Sequence, residues 1–125
     1  MFRTLAVVLC ALSIGAGALS AGQKTLMHCF TFTPIESATA DDWSAFYKAT
    51  DQLTTKIPGL LHVWNGKLAN PQHAGDAVRT YGACMEFKDA AALKAYADNQ
   101  AHKDWLKVYE KVRQPGTTTF NLQGQ

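Results

Sequence analysis

A chain of 125 residues, 47% hydrophobic and 18% charged, has room for one packed core and not for two. Twelve Lys and Arg against ten Asp and Glu leave a formal charge of +2, too little to neutralise a run of phosphates, so an electrostatically driven nucleic-acid partner is excluded. Nine Gly, four Pro and no biased tract also exclude a disordered or collagen-like chain.

Arg3 is followed by the apolar run 5–14, and no charge returns until Lys24. A short basic start, that run and the small-residue tract Ala16-Gly17-Ala18-Leu19-Ser20-Ala21 have the three-part form of a secretory signal peptide. Gly15, Gly17 and Ser20 spoil the ~20 apolar residues that a retained membrane span needs, and Leu9 before Cys10 is too bulky for a lipid-attachment site. The sequence predicts a leader over residues 1–21, one domain over 22–125, export to the periplasm or the exterior, and no stable membrane anchor after cleavage. Cleavage leaves Cys29 and Cys84. In an oxidising compartment they allow one disulfide; with the strand register unknown, two buried small hydrophobes is the simpler reading.

From Leu26 to Thr33 the residues alternate, placing His28, Phe30 and Phe32 on one side of a strand and Met27, Cys29 and Thr31 on the other. Pro34 ends it. Thr39 and Asp42 form a capping-box pattern, and Trp43, Phe46, Thr50, Leu53 and Ile57 recur at helical spacing. Pro58-Gly59 stops the helix, and Leu60 to Trp64 suits a second strand. Asn65 to Ala77, with Asn-Gly, Asn-Pro and Ala-Gly-Asp, predicts a mobile loop. A third strand, Val78 to Phe87, sends Tyr81, Ala83, Met85 and Phe87 one way and Thr80, Gly82, Cys84 and Glu86 the other. Asp89 caps a second helix bearing Leu93, Tyr96 and Ala97, which Asp98-Asn99-Gln100 interrupts before a helical stretch with Trp105, Leu106, Val108, Tyr109 and Val112. Pro115-Gly116 ends that stretch, and Thr117 to Leu122 supplies the last strand. The order is βαββαβ, an α+β chain.

Two helices cover one face of such a sheet, while Met27, Cys29 and Cys84 lie on the other. The simplest second cover is another copy of the sheet about a two-fold axis, which predicts a homodimer.

Phe30-Thr31-Phe32-Thr33-Pro34, Ile57-Pro58-Gly59-Leu60, Gly66-Lys67, Met85-Glu86-Phe87, and Leu93-Lys94-Ala95-Tyr96 followed by Ala101-His102 occur in an order and spacing that resemble the stress-responsive dimeric α/β-barrel family. The likeness runs over nearly the whole chain after the leader. It implies a ferredoxin-like subunit: a four-stranded antiparallel sheet, helices on one face, pairing sheet to sheet into a dimeric α/β barrel. In the family's plant polyketide-cyclase branch a Tyr and a His six positions apart carry the chemistry, which the resemblance assigns here to Tyr96 and His102. The family motif His-Pro-Ala-His reads Asn99-Gln100-Ala101-His102 in this chain, Tyr81 stands where the family often has His, and Leu26 replaces a His near the start of the first strand.

The alternation turns His28, Phe30, Tyr81, Ala83 and Met85 toward the helices, where Phe46, Thr50, Tyr96 and His102 are expected to meet them around an apolar pocket for a small, largely apolar molecule. An imidazole base and a phenol hydrogen-bond donor suffice for enolisation or aldol cyclisation without metal or organic cofactor. Each has a plainer role: Tyr96 as core, His28 as a hydrogen-bonded core histidine, and His102 as a partner for backbone groups at the helix break. No short Cys or His spacing marks a metal site. The alternatives are a stress-protection module that binds without turnover, and a haem or aromatic monooxygenase relative using His28 or His102.

Overall fold

The computed structural model describes residues 24–125, so the leader expected over residues 1–21 lies outside them. The elements are β1 (Leu26–Phe32), α1 (Ala40–Lys56), β2 (Leu60–Ala74), β3 (Ala77–Phe87), α2 (Ala90–Asp98), α3 (Gln100–Tyr109) and β4 (Thr118–Gln123). The strands form one antiparallel sheet in the order β2-β3-β1-β4, with the helices on a single face, the ferredoxin-like arrangement.

Local chemistry fixes the helix ends. Thr39 and Asp42 form the expected capping box at the start of α1, with Asp42 N donating to Thr39 Oγ1 at 3.1 Å and Thr39 N to Asp42 Oδ2 at 2.9 Å. Asp89 caps α2 by accepting from Ala92 N at 2.8 Å. Asn99 ends α2 and caps α3, its Oδ1 accepting from Ala101 N at 2.8 Å.

The expected loop over Asn65 to Ala77 is instead a long hairpin. β2 continues to Ala74 and β3 starts at Ala77, joined through Gly75 and Asp76. Gly75 has φ 61°, the sign needed at the first central position of a type II′ turn. Pro71 is tolerated because β2 is an edge strand and because residues 68–71 bulge opposite Thr80, between the Lys67↔Tyr81 and Gln72↔Arg79 pairs.

Phe32, Phe46, Met85, Phe87, Leu53 and Val112 are the largest fully buried side chains and fill the space between sheet and helices. Within this core, Thr50 accepts from Trp105 Nε1 at 2.9 Å and donates to the Phe46 carbonyl at 2.6 Å. Thr50→Val keeps the shape but strands the indole N–H, and is expected to cost about 1–3 kcal/mol in urea denaturation. Wild-type stability in that variant would mean that Trp105 finds another acceptor.

The opposite face carries Met27, Cys29, Thr31, Cys84, Trp64, Phe120 and Leu122. Cys29 and Cys84 are direct partners across β1 and β3, with Cα atoms 4.1 Å apart, and they form a disulfide, in place of the two separate hydrophobes favoured by the simpler reading. Trp64, Phe120 and Leu122 are 53%, 42% and 60% exposed, so this side of the sheet is apolar and open.

Candidate functional site

On a continuous α-helix, residues six apart point in directions about 120° different and lie about 9 Å apart along the axis. Tyr96 and His102 escape this because Asn99 ends one helix and starts the next with φ −68° and ψ 135°. The break brings the two rings to a centroid separation of 4.1 Å. Tyr96 is buried and His102 is half-buried.

Both line a hollow of about 210 Å³ between α2, α3, the connection to β4, and the helix-facing side of β1 and β4. His28 and Phe30 form its floor, Trp105, Leu106 and Tyr109 its helical wall, and Arg113, Thr117 and Thr119 its remaining side. The His28 ring lies 6.2 Å from that of Tyr96.

A hydrogen bond assigns the His102 tautomer. His102 Nδ1 lies 3.3 Å from the Ala97 carbonyl, which only accepts, so Nδ1 carries the proton and Nε2 keeps its lone pair in the neutral ring. His102 therefore also serves the backbone at the helix break. His28 Nδ1 lies 2.7 Å from Asn121 Oδ1. Burial lowers the His102 pKa below the ordinary imidazole value; the Ala97 carbonyl opposes this and the nearby His28 adds to it. Burial, with a smaller effect of Tyr109, pushes the Tyr96 phenol well above its ordinary range. The pair is thus a neutral base beside a phenol that holds its proton.

Of the residues expected around one pocket, His28, Phe30, Tyr96 and His102 come together at the hollow. Phe46 and Thr50 on α1 and Met85 on β3 do not: they point into the space between sheet and helices but are consumed by the close-packed core. Ala83, opposite Phe30 on the helix side, likewise joins that core, while Cys29, Cys84, Trp64 and Phe120 line a separate groove of about 310 Å³ that opens on the other face. Tyr81 belongs to a third cluster, its ring 4.6 Å from that of Trp43, where burial and its hydrogen bond to Tyr47 push the Tyr47 phenol up to about 12. The sheet is wider than the hollow, so facing the helices does not mean facing the site.

Sequence reasoning missed Trp105, Leu106, Tyr109, Arg113, Thr117 and Thr119 as lining residues. A signal was present in the helical spacing of His102, Trp105, Leu106 and Tyr109, which form one stripe on α3.

With this geometry in place, likeness to known proteins becomes informative. Residues 26–118 match the family model of the stress responsive A/B barrel domain. The chain belongs to that family. A dimeric ferredoxin-like protein of unknown function from Jannaschia superposes with a TM-score of 0.63 at 23% identity, over 78% of this chain and 97% of that one. A member of the same barrel-domain family from Mesorhizobium loti superposes with a TM-score of 0.60 at 19% identity, over 80% and 96%. Hydroxynitrile lyase from Passiflora edulis gives 0.67 at 10% identity, over 82% and 95%. At these identities the likeness establishes the fold alone. No curated protein matches the chain.

Proposed function

We propose that this barrel-domain chain is exported, pairs with a second copy through its open sheet face, and binds a small, largely apolar carbonyl compound under α2 and α3. There His102 and Tyr96 move a proton on the bound compound without a cofactor. The observation that carries this reading is the contact of a neutral imidazole with a buried phenol in the wall of a hollow that Phe30, Trp105 and Leu106 also line.

In this scheme His102 Nε2 takes a proton from the carbon next to the carbonyl. The C–H electrons move into a new C=C bond, and the carbonyl oxygen gains charge that the Tyr96 hydroxyl stabilises by a hydrogen bond. Return of the proton restores the ketone or, with an electrophile in reach, a C–C bond forms instead. That the same fold houses a hydroxynitrile lyase in one structural neighbour is compatible with an enzymatic role. The apolar open face, and the description of the Jannaschia protein as dimeric, support pairing. The leader-like start and the Cys29–Cys84 bridge support an oxidising destination.

The test is deuterium exchange at the methyl group of acetophenone in D2O, followed by proton NMR. Protein-accelerated exchange is expected. Binding of the ketone with no acceleration over buffer would leave a binding module and sink the reaction. The pH dependence has a definite sign. Because burial lowers the folded-state pKa of His102, its base form persists above the ordinary value of about 6.5 and for some way below it. The exchange rate should therefore be flat above neutrality and fall only on the acid side of about 6.5. The same shift costs stability in the same direction, since the unfolded imidazole takes up its proton first as the pH falls.

A further inference from the structure

The hollow carries a positive charge that proton transfer by His102 and Tyr96 does not use. Arg113 lies just beyond α3 with its guanidinium over the Tyr109 ring at 4.6 Å, and its Nη1 donates to Thr117 Oγ1 at 3.2 Å. Arg113, Tyr109 and Thr117 all line the hollow. The Arg113 Nε is buried with no hydrogen-bond partner among the described residues, and a charged donor left this way carries a desolvation cost. Its acidic neighbour Glu110 stands 3.9 Å from Nη2 and is itself 65% exposed, too long and too wet a pair to offset the charge.

A second arginine reinforces the field. Arg79 is 9% exposed, donates from Nε to Thr118 Oγ1 and from Nη1 to Thr33 Oγ1, and has no carboxylate within ion-pair distance among the described residues. The Tyr109 phenol senses both: burial raises its pKa, while the Thr117 bond, Arg113 and Arg79 pull it back. Among the described residues no Asp or Glu lines the hollow.

We propose that the ligand of this hollow carries a carboxylate, held by Arg113 at the Thr117 end, with its apolar body lying along Trp105 and Leu106 toward Tyr96 and His102. The inference rests on the helix-side hollow being the ligand site, and narrows its substrate class to small carbonyl acids. A planar guanidinium matches a planar carboxylate. A phosphate dianion would call for a second free cation, and Arg79 is engaged by two threonines.

The test compares benzoate with its uncharged isostere benzamide by NMR titration at pH 8, where the burial-lowered His102 is neutral. Wild-type protein should bind benzoate about tenfold or more tightly than benzamide. Arg113→Gln should erase the preference by weakening benzoate more than benzamide, and Arg113→Lys should restore part of it. Equal binding of the two compounds by wild type, or a preference that survives Arg113→Gln, overturns the carboxylate assignment and leaves the hollow as a ligand site. Failure of both compounds to shift residues of the hollow overturns the proposal together with the reading beneath it. If Arg113→Gln does not fold, the wild-type ratio and Arg113→Lys decide the matter.

Discussion

Reducing the Cys29–Cys84 bridge is expected to lower stability by about 4 kcal/mol, the loop-closure entropy returned to the unfolded chain when a link of this length is cut. The separation of 55 residues encloses α1, all of β2 and β3 as far as Cys84, so the reduced unfolded state gains freedom over much of the chain. For a domain of this size the shift in Tm is on the order of 20 °C. Thermal unfolding followed by circular dichroism, with and without reductant, measures it, and a Cys29→Ser, Cys84→Ser double variant should melt with the reduced protein. A change below about 5 °C would mean that β1–β3 pairing already restricts the unfolded chain as much as the bridge does.

Replacing His102 or Tyr96 should produce the largest kinetic effects. Loss of the base in His102→Ala is expected to slow ketone exchange by about 10²- to 10⁴-fold, and loss of the hydroxyl in Tyr96→Phe by about 10²- to 10³-fold. The two act on one proton movement, so the double variant should be little worse than the poorer single one. His102 also donates to the Ala97 carbonyl, so an alanine variant mixes chemistry with helix-end stability. His102→Asn separates them, because its amide can still donate to Ala97 but offers no base of suitable pKa. An Asn variant as inactive as the alanine variant supports the base; one that retains exchange assigns His102 to the backbone alone.

The fold was legible where short-range chemistry decides it. Thr39 with Asp42, Asp89, and the Asn99 interruption each mark a helix end within a few residues, and the alternation in β1 and β3 places His28 and Met85 on the helix side without knowledge of their neighbours. Features that depend on pairing across the chain were not legible. The bond between Cys29 and Cys84 requires the β1–β3 register, which no local pattern contains. In β2 the bulge over residues 68–71 breaks the alternation, and Pro71 beside Asn70 imitates a loop, although Gly75-Asp76 between two runs was itself a hairpin signal. The site was half legible: Tyr96, His102, His28 and Phe30 meet as expected, but which other inward residues reach the hollow depends on sheet width and twist. Arg113 and Thr117 escaped notice because they lie in a connection whose path follows from where β4 docks.

The two-sided cap at Asn99 has a consequence for how such chains diverge. Surface connections ordinarily absorb insertions and deletions at little cost, but Asn99 alone serves as the C-cap of α2 and the N-cap of α3, so a residue added or removed here disturbs both caps and the setting of α3 against α2. His102 would move away from Tyr96, and Trp105 and Tyr109, which α3 buries in the core, would be displaced with it. Length at this joint is therefore a requirement of the core as well as of the proposed reaction, and a stricter one than the identity of Gln100.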